Sequence, residues 1–551
     1  MVLGLGEVGI ADADRAEAQF VAPLLDAPGQ LRVVDIATLA HGAHFTQMQY
    51  RVMPKTETLP AALYTADQVR ALDRQAIERF GIPGAELMQR AGEAAFALAR
   101  ERWPEARCWC VLCGTGNNGG DGFVVARLAA EAGLEVRVIQ LGERERIVGD
   151  ARLYADRWAA LDRPWMEFDG ALPRDCDLLI DALLGTGLDR ELGGAWCAAV
   201  EAINAHSAPV LAVDIPTGLD ADRGVVLGVA VRAAATISFI GLKRGLFTGE
   251  APDCCGEVFF DALDVPAAIY ASQILGVRRI DWTREVTRLR PRRRTAHKGD
   301  FGHVLVVGGD HGFGGAAHLA GEAAARVGAG LVSLATRKRH VAAVLAARPE
   351  LMAYAVMGHD SLRGLLSRAS VLVLGPGLGR RGWGDALYHV GIDWPGPQVI
   401  DADALDRLAE KPPKPRDDRV LTPHPGEAAR LLGWDTVEVQ ADRFAAVEVL
   451  QRRYGGIVVL KGAGTLVLGL GRRPVAVCSD GNPGMASGGM GDVLAGVIGG
   501  LIAQGWMPEE AAELGVCLHA AAADRAVARE GEGGLLASDL MPHLRRLVNP
   551  V

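Results

Sequence analysis

The stretch CWCVLCGTGNNGGDGFVVARLAA, residues 108–130, decides the fold of the first half of the chain. Residues 108–113 are uniformly apolar and read as a buried strand, where Cys serves as a small apolar side chain. A glycine-rich turn follows, and residues 123–132 read as a helix. Such a turn lets backbone N–H groups approach a phosphate at a helix N-terminus.

Working outward, further apolar runs read as strands at 135–141, 178–181, 210–214 and 236–239. Upstream, Thr65 and Gln68 fit a capping box. Val69, Leu72, Ile77 and Phe80 give helical spacing behind it, and a second helix spans about 85–102. Strands alternating with helices predict an α/β fold with a parallel sheet. A second series begins at 304–307, with strands near 331–335, 371–374, 398–401, 420–422 and 457–460. The fold class is therefore α/β in two domains: an N-terminal Rossmann-like three-layer domain and a C-terminal α/β domain.

A chain of 551 residues has room for two or three domains. Residues 1–53 read as an N-terminal extension, 54–275 as the first domain, 276–294 as a basic, Pro-interrupted linker and 295–551 as the second. Two separate cores that fold independently are expected. Met53 precedes a clean helical start and is a candidate initiator. Net charge is −9, so no basic field is available for nucleic acid. No run of 18 or more apolar residues spans a membrane. Nine cysteines, an odd number, suit a reducing cytoplasm. Cys110 and Cys113 form a CxxC without a second ligand pair, so zinc is not expected.

Gly114, Gly116 and Gly119 match GxGxxG, but the next strand ends without the acid that a dinucleotide fold places on the ribose. A plain NAD-dependent dehydrogenase is disfavoured. Two other strand ends carry acids: DALLGTGLDRE from Asp181 and DIPTGLD from Asp214. In an open parallel sheet these ends line one crevice. Asn118, Asp181, Asp214 and Thr217 thus converge as hard oxygen donors, suited to a hard cation. Strand-end acids also cap helices, so capping is the alternative for each.

In the second half, NPGMASGGMGDVLAGVIGGLIAQG, 482–505, sets glycines before a helix beginning near Gly491. Asp492 lies where a base could take a proton from a hydroxyl attacking phosphorus. It would also favour the helix dipole if it had no other role. No GxxxxGK[ST] occurs, which excludes a P-loop.

NNGGDG, DALLGTGL and DIPTGLD together resemble the NAD(P)HX epimerase family over about 54–275. That resemblance implies that Asn117, Asn118, Gly119, Gly120 and Asp121 contact the hydrated nucleotide. It implies the same of Gly185, Thr186, Gly187, Leu188, Asp189, Arg190 and Glu191. Asn118, Asp181 and Thr217 would hold K⁺, and Asp214 would bind substrate and act in catalysis. Thr217 stands where the family often has Ser, and the hydroxyl is kept.

The glycine run of 482–505 resembles ribokinase-like kinases and, more closely, the ADP/ATP-dependent NAD(P)HX dehydratases. HKGDFGHVLVVGG, LGPGLG, DADAL, LTPHPGE and KGAGT fit the latter over about 295–540. GFGG at 312–315 departs mildly from the family's more usual turn with Pro. The resemblance implies that Ala316, Gly377 and His424 lie near the hydrated nicotinamide. It places Lys461, Gly462, Ala463, Gly464, Thr465 and Gly491 at the phosphate donor, with Asp492 as the catalytic base. The fused layout resembles the bacterial arrangement, which implies ADP with Mg²⁺ as donor and AMP and phosphate as products. The expected partners are NADHX, NADPHX and ADP, in a homo-oligomer, with no nucleic acid or membrane. A small-molecule kinase and a non-catalytic nucleotide-binding protein remain the alternatives.

Overall fold

The computed structural model describes residues 59–412 and 414–549; the N-terminal extension and Met53 lie outside them. The strands in chain order are β1 (Ala62–Leu63), β2 (Cys108–Cys113), β3 (Glu135–Gln140), β4 (Trp165–Glu167), β5 (Leu178–Ala182) and β6 (Val210–Val213). They continue with β7 (Ala235–Phe239), β8 (Glu257–Asp261), β9 (Val277–Ile280), β10 (His303–Val307), β11 (Leu331–Thr336) and β12 (Met352–Ala355). The last six are β13 (Val371–Leu374), β14 (Gln398–Ile400), β15 (Arg419–Leu421), β16 (Ile457–Leu460), β17 (Thr465–Leu468) and β18 (Val475–Cys478).

The N-terminal sheet has seven parallel strands in the order β4-β3-β2-β5-β6-β7-β8. Its order reverses between β2 and β5, where an open α/β sheet forms its ligand crevice. β2 and β5 to β7 are buried along their whole length, as strands covered by helices on both faces must be. Within β2, Cys110 and Cys113 bury on opposite faces, in different apolar clusters, so they cannot ligate one ion together.

The second sheet is mixed and has eleven strands, ordered β1-β9-β18-β17-β16-β15-β14-β13-β10-β11-β12. Its parallel part reverses between β10 and β13. The helices Met490–Ala503 and Gly314–Arg326 cross tightly on one face. A side chain at Gly496 would strike the Ala320 carbonyl at 2.1 Å. Part of the 482–505 glycine run therefore serves helix packing.

Two sequence expectations change here. Residues 276–294, read as a linker, contain β9, which pairs with β18 on one side and β1 on the other. The two cores are also not separate. One buried cluster holds Leu59, Leu63, Leu219, Phe247 and Phe260 together with Leu305, Leu374, Phe444 and Val477. The sequence reading missed β1 and β9 because two- and four-residue strands carry too little periodicity to register. The capping box did form: Gln68 N donates to Thr65 Oγ1 at 3.2 Å, and Thr65 N to Gln68 Oε1 at 3.0 Å. Among the described residues no helix is long and apolar enough to cross a membrane.

Candidate functional site

The first site is a cavity of about 930 Å³ at the carboxyl ends of β2, β5 and β6. The helix after β2 begins at Asn117, earlier than 123, so Asn117–Asp121 form its first turn. Glycine is required there. A Cβ on Gly114 would meet the Leu183 carbonyl at 1.9 Å, and one on Gly119 the Gly114 carbonyl at 2.1 Å. Asn117, Asn118 and Asp121 line the cavity, as do Gly185, Thr186, Gly187, Leu188, Asp189, Arg190, Glu191 and Asp214. Gly119 and Gly120 do not; a Cβ on Gly120 would run into Met88 Sδ.

Asp181 and Thr217 sit behind this wall. Thr217 donates to Asp181 through its backbone N at 2.8 Å and its hydroxyl at 2.7 Å. Leu183 N also donates to Asp181, and Leu184 N donates to Thr217 Oγ1. Burial pushes the Asp181 carboxyl up to about 6, against these hydrogen bonds. Asn118 is buried and neither amide atom has a protein partner. A buried amide of this kind has its hydrogen-bonding capacity available to water, an ion or a ligand.

Asp214 adopts φ +69°, a left-handed conformation uncommon outside glycine. It is ion-paired with Lys243, whose Nζ also donates to Ser238 Oγ at 2.9 Å. Lys243 is fully buried. Asp73, on the helix Ala66–Arg74, faces the same cavity with Val69 and Ile77. Its carboxyl is pushed up to about 6, first by burial and then by Asp214, with Lys243 opposing. Asp121 is raised well above the usual range by burial and by Asp214 and Asp73. The sequence reading missed Asp73 and Lys243. Asp73 had one available signal, its place four residues after Val69 on an amphipathic helix.

The second site lies where β14, β15 and β16 end. Lys461 Nζ donates to Asp401 Oδ1 at 2.9 Å and lies 3.7 Å from Glu427 Oε2. Burial would lower the Lys461 pKa, but Asp401 and Glu427 outweigh it and raise it. A Cβ on Gly491 would stand 3.1 Å from Lys461 Nζ, so the helix N-terminus meets the ammonium. Asp492 follows in the first turn of that helix. Burial and the negative charge of Asp401 push its carboxyl up to about 7. Burial also pushes Glu427 up to about 6.

His424 caps the helix Pro425–Leu432, its Nδ1 accepting from Gly426 N at 3.0 Å. Its backbone N donates to Glu427 Oε2, which ties it to the Lys461 cluster. Ala316 and Gly377 come together, since a Cβ on Gly377 would lie 3.2 Å from Ala316 Cβ. Asp401 and Glu427 lie within DADAL and LTPHPGE, but nothing in the sequence alone gives them a role. Among the described residues, the group with metal-like clustering of His, Cys, Asp or Glu is Cys478, Asp480 and Cys517, away from the CxxC.

Comparison with known proteins bears on both halves. Residues 304–546 match the family model described as NAD(P)H-hydrate dehydratase, and 84–245 that of the YjeF-related protein N-terminus. The bifunctional NAD(P)H-hydrate repair enzyme Nnr of Coxiella burnetii is 49% identical over 488 residues, covering 89% of this chain and 99% of that one. The Escherichia coli enzyme of the same name is 45% identical, covering 90% and 95%. A solved ADP/ATP-dependent NAD(P)H-hydrate dehydratase from Bacillus subtilis, co-crystallised with ATP/Mg²⁺, is 28% identical. It matches 48% of this chain and 96% of its own, with a TM-score of 0.44. The chain belongs to the bifunctional NAD(P)H-hydrate repair enzymes, pairing an NAD(P)HX epimerase with a nucleotide-dependent NAD(P)HX dehydratase.

Proposed function

We propose that Asp492 is the base of the dehydratase and Asp214 that of the epimerase, with Mg·ADP as the phosphate donor. The carrying observation is the meeting of Lys461, Asp401, Gly491 and Asp492 at one helix N-terminus. The ring hydroxyl of S-NAD(P)HX attacks the β-phosphorus of ADP, and the bond to AMP breaks. Asp492 takes the hydroxyl proton, a task suited by a carboxyl whose pKa lies near 7. Lys461 and the N–H groups of the glycine turn hold the phosphates. The phosphorylated oxygen then leaves as inorganic phosphate, driven by the ring nitrogen. The neighbouring carbon loses a proton, and NAD(P)H is restored. Ala316, Gly377 and His424 border the nicotinamide.

Epimerisation of R- and S-NAD(P)HX inverts the carbon that bears the hydroxyl. The hydroxyl departs as water, the ring nitrogen supplying the electron pair, and water returns to the other face. Departure needs an acid and return needs a base. Asp121, whose carboxyl is raised well above the usual range by burial and by Asp214 and Asp73, is the acid. Asp214, paired with Lys243, is the base. Asn118, Asp181 and Thr217 would hold K⁺. They are hard oxygen donors, and the partnerless Asn118 amide fits a missing cation ligand. K⁺ would supply positive charge beside the bound nucleotide.

We assign the epimerase to 54–275 and the dehydratase to 295–551, with the connection 276–294 contributing β9 to the second sheet. A homo-oligomer in the cytoplasm completes the reading, and nine free cysteines support the location. The test is to incubate the protein with hydrated NADH and ADP, following NADH absorbance and free phosphate. Recovered NADH with stoichiometric phosphate supports dehydration. A product that retains the phosphate would make the C-terminal half a kinase.

A further inference from the structure

Arg443 is 1% exposed and all five of its hydrogen-bond partners are neutral oxygens. Three are carbonyls of the segment bearing the donor lysine: Leu460 at 3.2 Å, Lys461 at 3.2 Å and Gly464 at 3.4 Å. A fourth is Gln440 Oε1 at 2.8 Å. The fifth comes from the other half of the chain: Thr248 Oγ1 accepts from Arg443 Nε at 3.1 Å. Burying a guanidinium among neutral acceptors is costly, and here it ties down the path of Lys461–Thr465.

Residues 247–249 of the epimerase half touch the same loop, beside Arg443. Gly249 N donates to the Ala463 carbonyl at 3.2 Å. The Thr248 hydroxyl lies 3.3 Å from the Ala463 carbonyl and 3.2 Å from that of Gly464. A Cβ on Gly464 would strike the Phe247 carbonyl at 1.9 Å, and one on Gly462 would lie 2.9 Å from Arg443. The loop is thus held jointly by Arg443 and a strip of the neighbouring enzyme. A side chain at Gly464 would strike that strip, and one at Gly462 would crowd Arg443.

We propose that Thr248, a residue of the epimerase half, is a positioning residue of the dehydratase. Through Arg443 it sets where the Lys461 ammonium meets the donor phosphates. The proposal rests on the reading of Lys461–Thr465 as the donor loop. It means that the donor site of one enzyme is completed by its fusion partner. Thr248 does not line the epimerase cavity, so the expected effect is on the nucleotide donor.

The test uses the full chain carrying Thr248→Val, Thr248→Ser or Lys461→Gln. Valine keeps the shape and loses the hydroxyl; serine keeps the hydroxyl. Thr248→Val is expected to raise the KM for ADP at least fivefold while the KM for S-NADHX moves less than twofold. Epimerisation should keep its wild-type rate, and Thr248→Ser should restore the ADP KM. If Lys461→Gln raises the ADP KM while Thr248→Val leaves it at wild type, the Thr248 proposal falls and the donor-loop reading stands. If Lys461→Gln, folded and active as an epimerase, leaves the ADP KM unchanged, the donor-loop reading itself falls. Equal loss of both activities in Thr248→Val, unrelieved by Thr248→Ser, makes Thr248 a packing residue and overturns the proposal.

Discussion

Lys461 serves two buried carboxylates at once, donating to Asp401 at 2.9 Å and standing 3.7 Å from Glu427. Removing the ammonium strands both charges. Lys461→Gln should therefore cost stability as well as donor affinity, on the order of 3 kcal/mol for breaking a buried pair. Glu427 is already raised to about 6, so acid pH can neutralise it. The loss of melting temperature should be larger at pH 8 than at pH 5.5, read by calorimetry at both. An equal loss at the two values would show that the ammonium does not hold these acids.

Asp492→Asn should cut dehydration by about 10²–10⁴, the usual cost of losing a general base. ADP binding, read by calorimetric titration, should change little, and epimerisation should continue. In the wild type, dehydration should rise with pH through about 7, as Asp492 loses its proton. Stability runs the other way. A carboxyl raised on folding binds its proton more tightly in the native state, so its ionisation destabilises as pH rises from about 4 towards 7. Asp492→Asn should accordingly raise the melting temperature at pH 8 and leave it unchanged at pH 4.

Asp181→Ala removes a proposed K⁺ ligand from the first site only. Epimerisation should fall and depend more steeply on K⁺ concentration, while dehydration of S-NADHX persists. In a racemised mixture with ADP, the wild type should recover nearly all the NADH. The variant should stall once the S epimer is consumed, apart from slow spontaneous interconversion. Full recovery at the wild-type rate would remove Asp181 from the epimerase site.

The shared core makes a prediction about dissection. A fragment of residues 295–551 loses β1 and β9 from its sheet, and Thr248 from Arg443. It also bares the faces of Leu305 and Val477 that pack in the common cluster. We expect it to melt well below the full chain and to aggregate, as circular dichroism and light scattering would show. A fragment as stable as the parent would restore the picture of two independent cores.

Both sheets were legible because their central strands are continuous apolar runs bounded by glycine, a signal that survives without context. The acids at strand ends were legible for the same reason: Asp181 and Asp214 each close such a run. What escaped depends on contacts between distant segments. Lys243 follows β7 in an unremarkable SFIGLKRG, and only the folded chain sets it against Asp214. Asp73 looks like any polar residue on a helix until the cavity closes over it. The need for glycine at 119 and 120 also depends on distant contacts, since a side chain there would strike Gly114 and Met88.

The position of β9, between β18 and β1, has a consequence for synthesis on the ribosome. The seven-stranded sheet is complete in the nascent chain before any strand of the second series has been made. Its flanking segments β1 and β9 can then form only a two-stranded ribbon, which is marginal in water by itself. The strand they need, β18, is translated almost last. Until it arrives the ribbon is an open edge, able to take any extended chain that offers backbone donors and acceptors. The finished first enzyme thus waits with an unfilled seam, and the last strand of the second closes it.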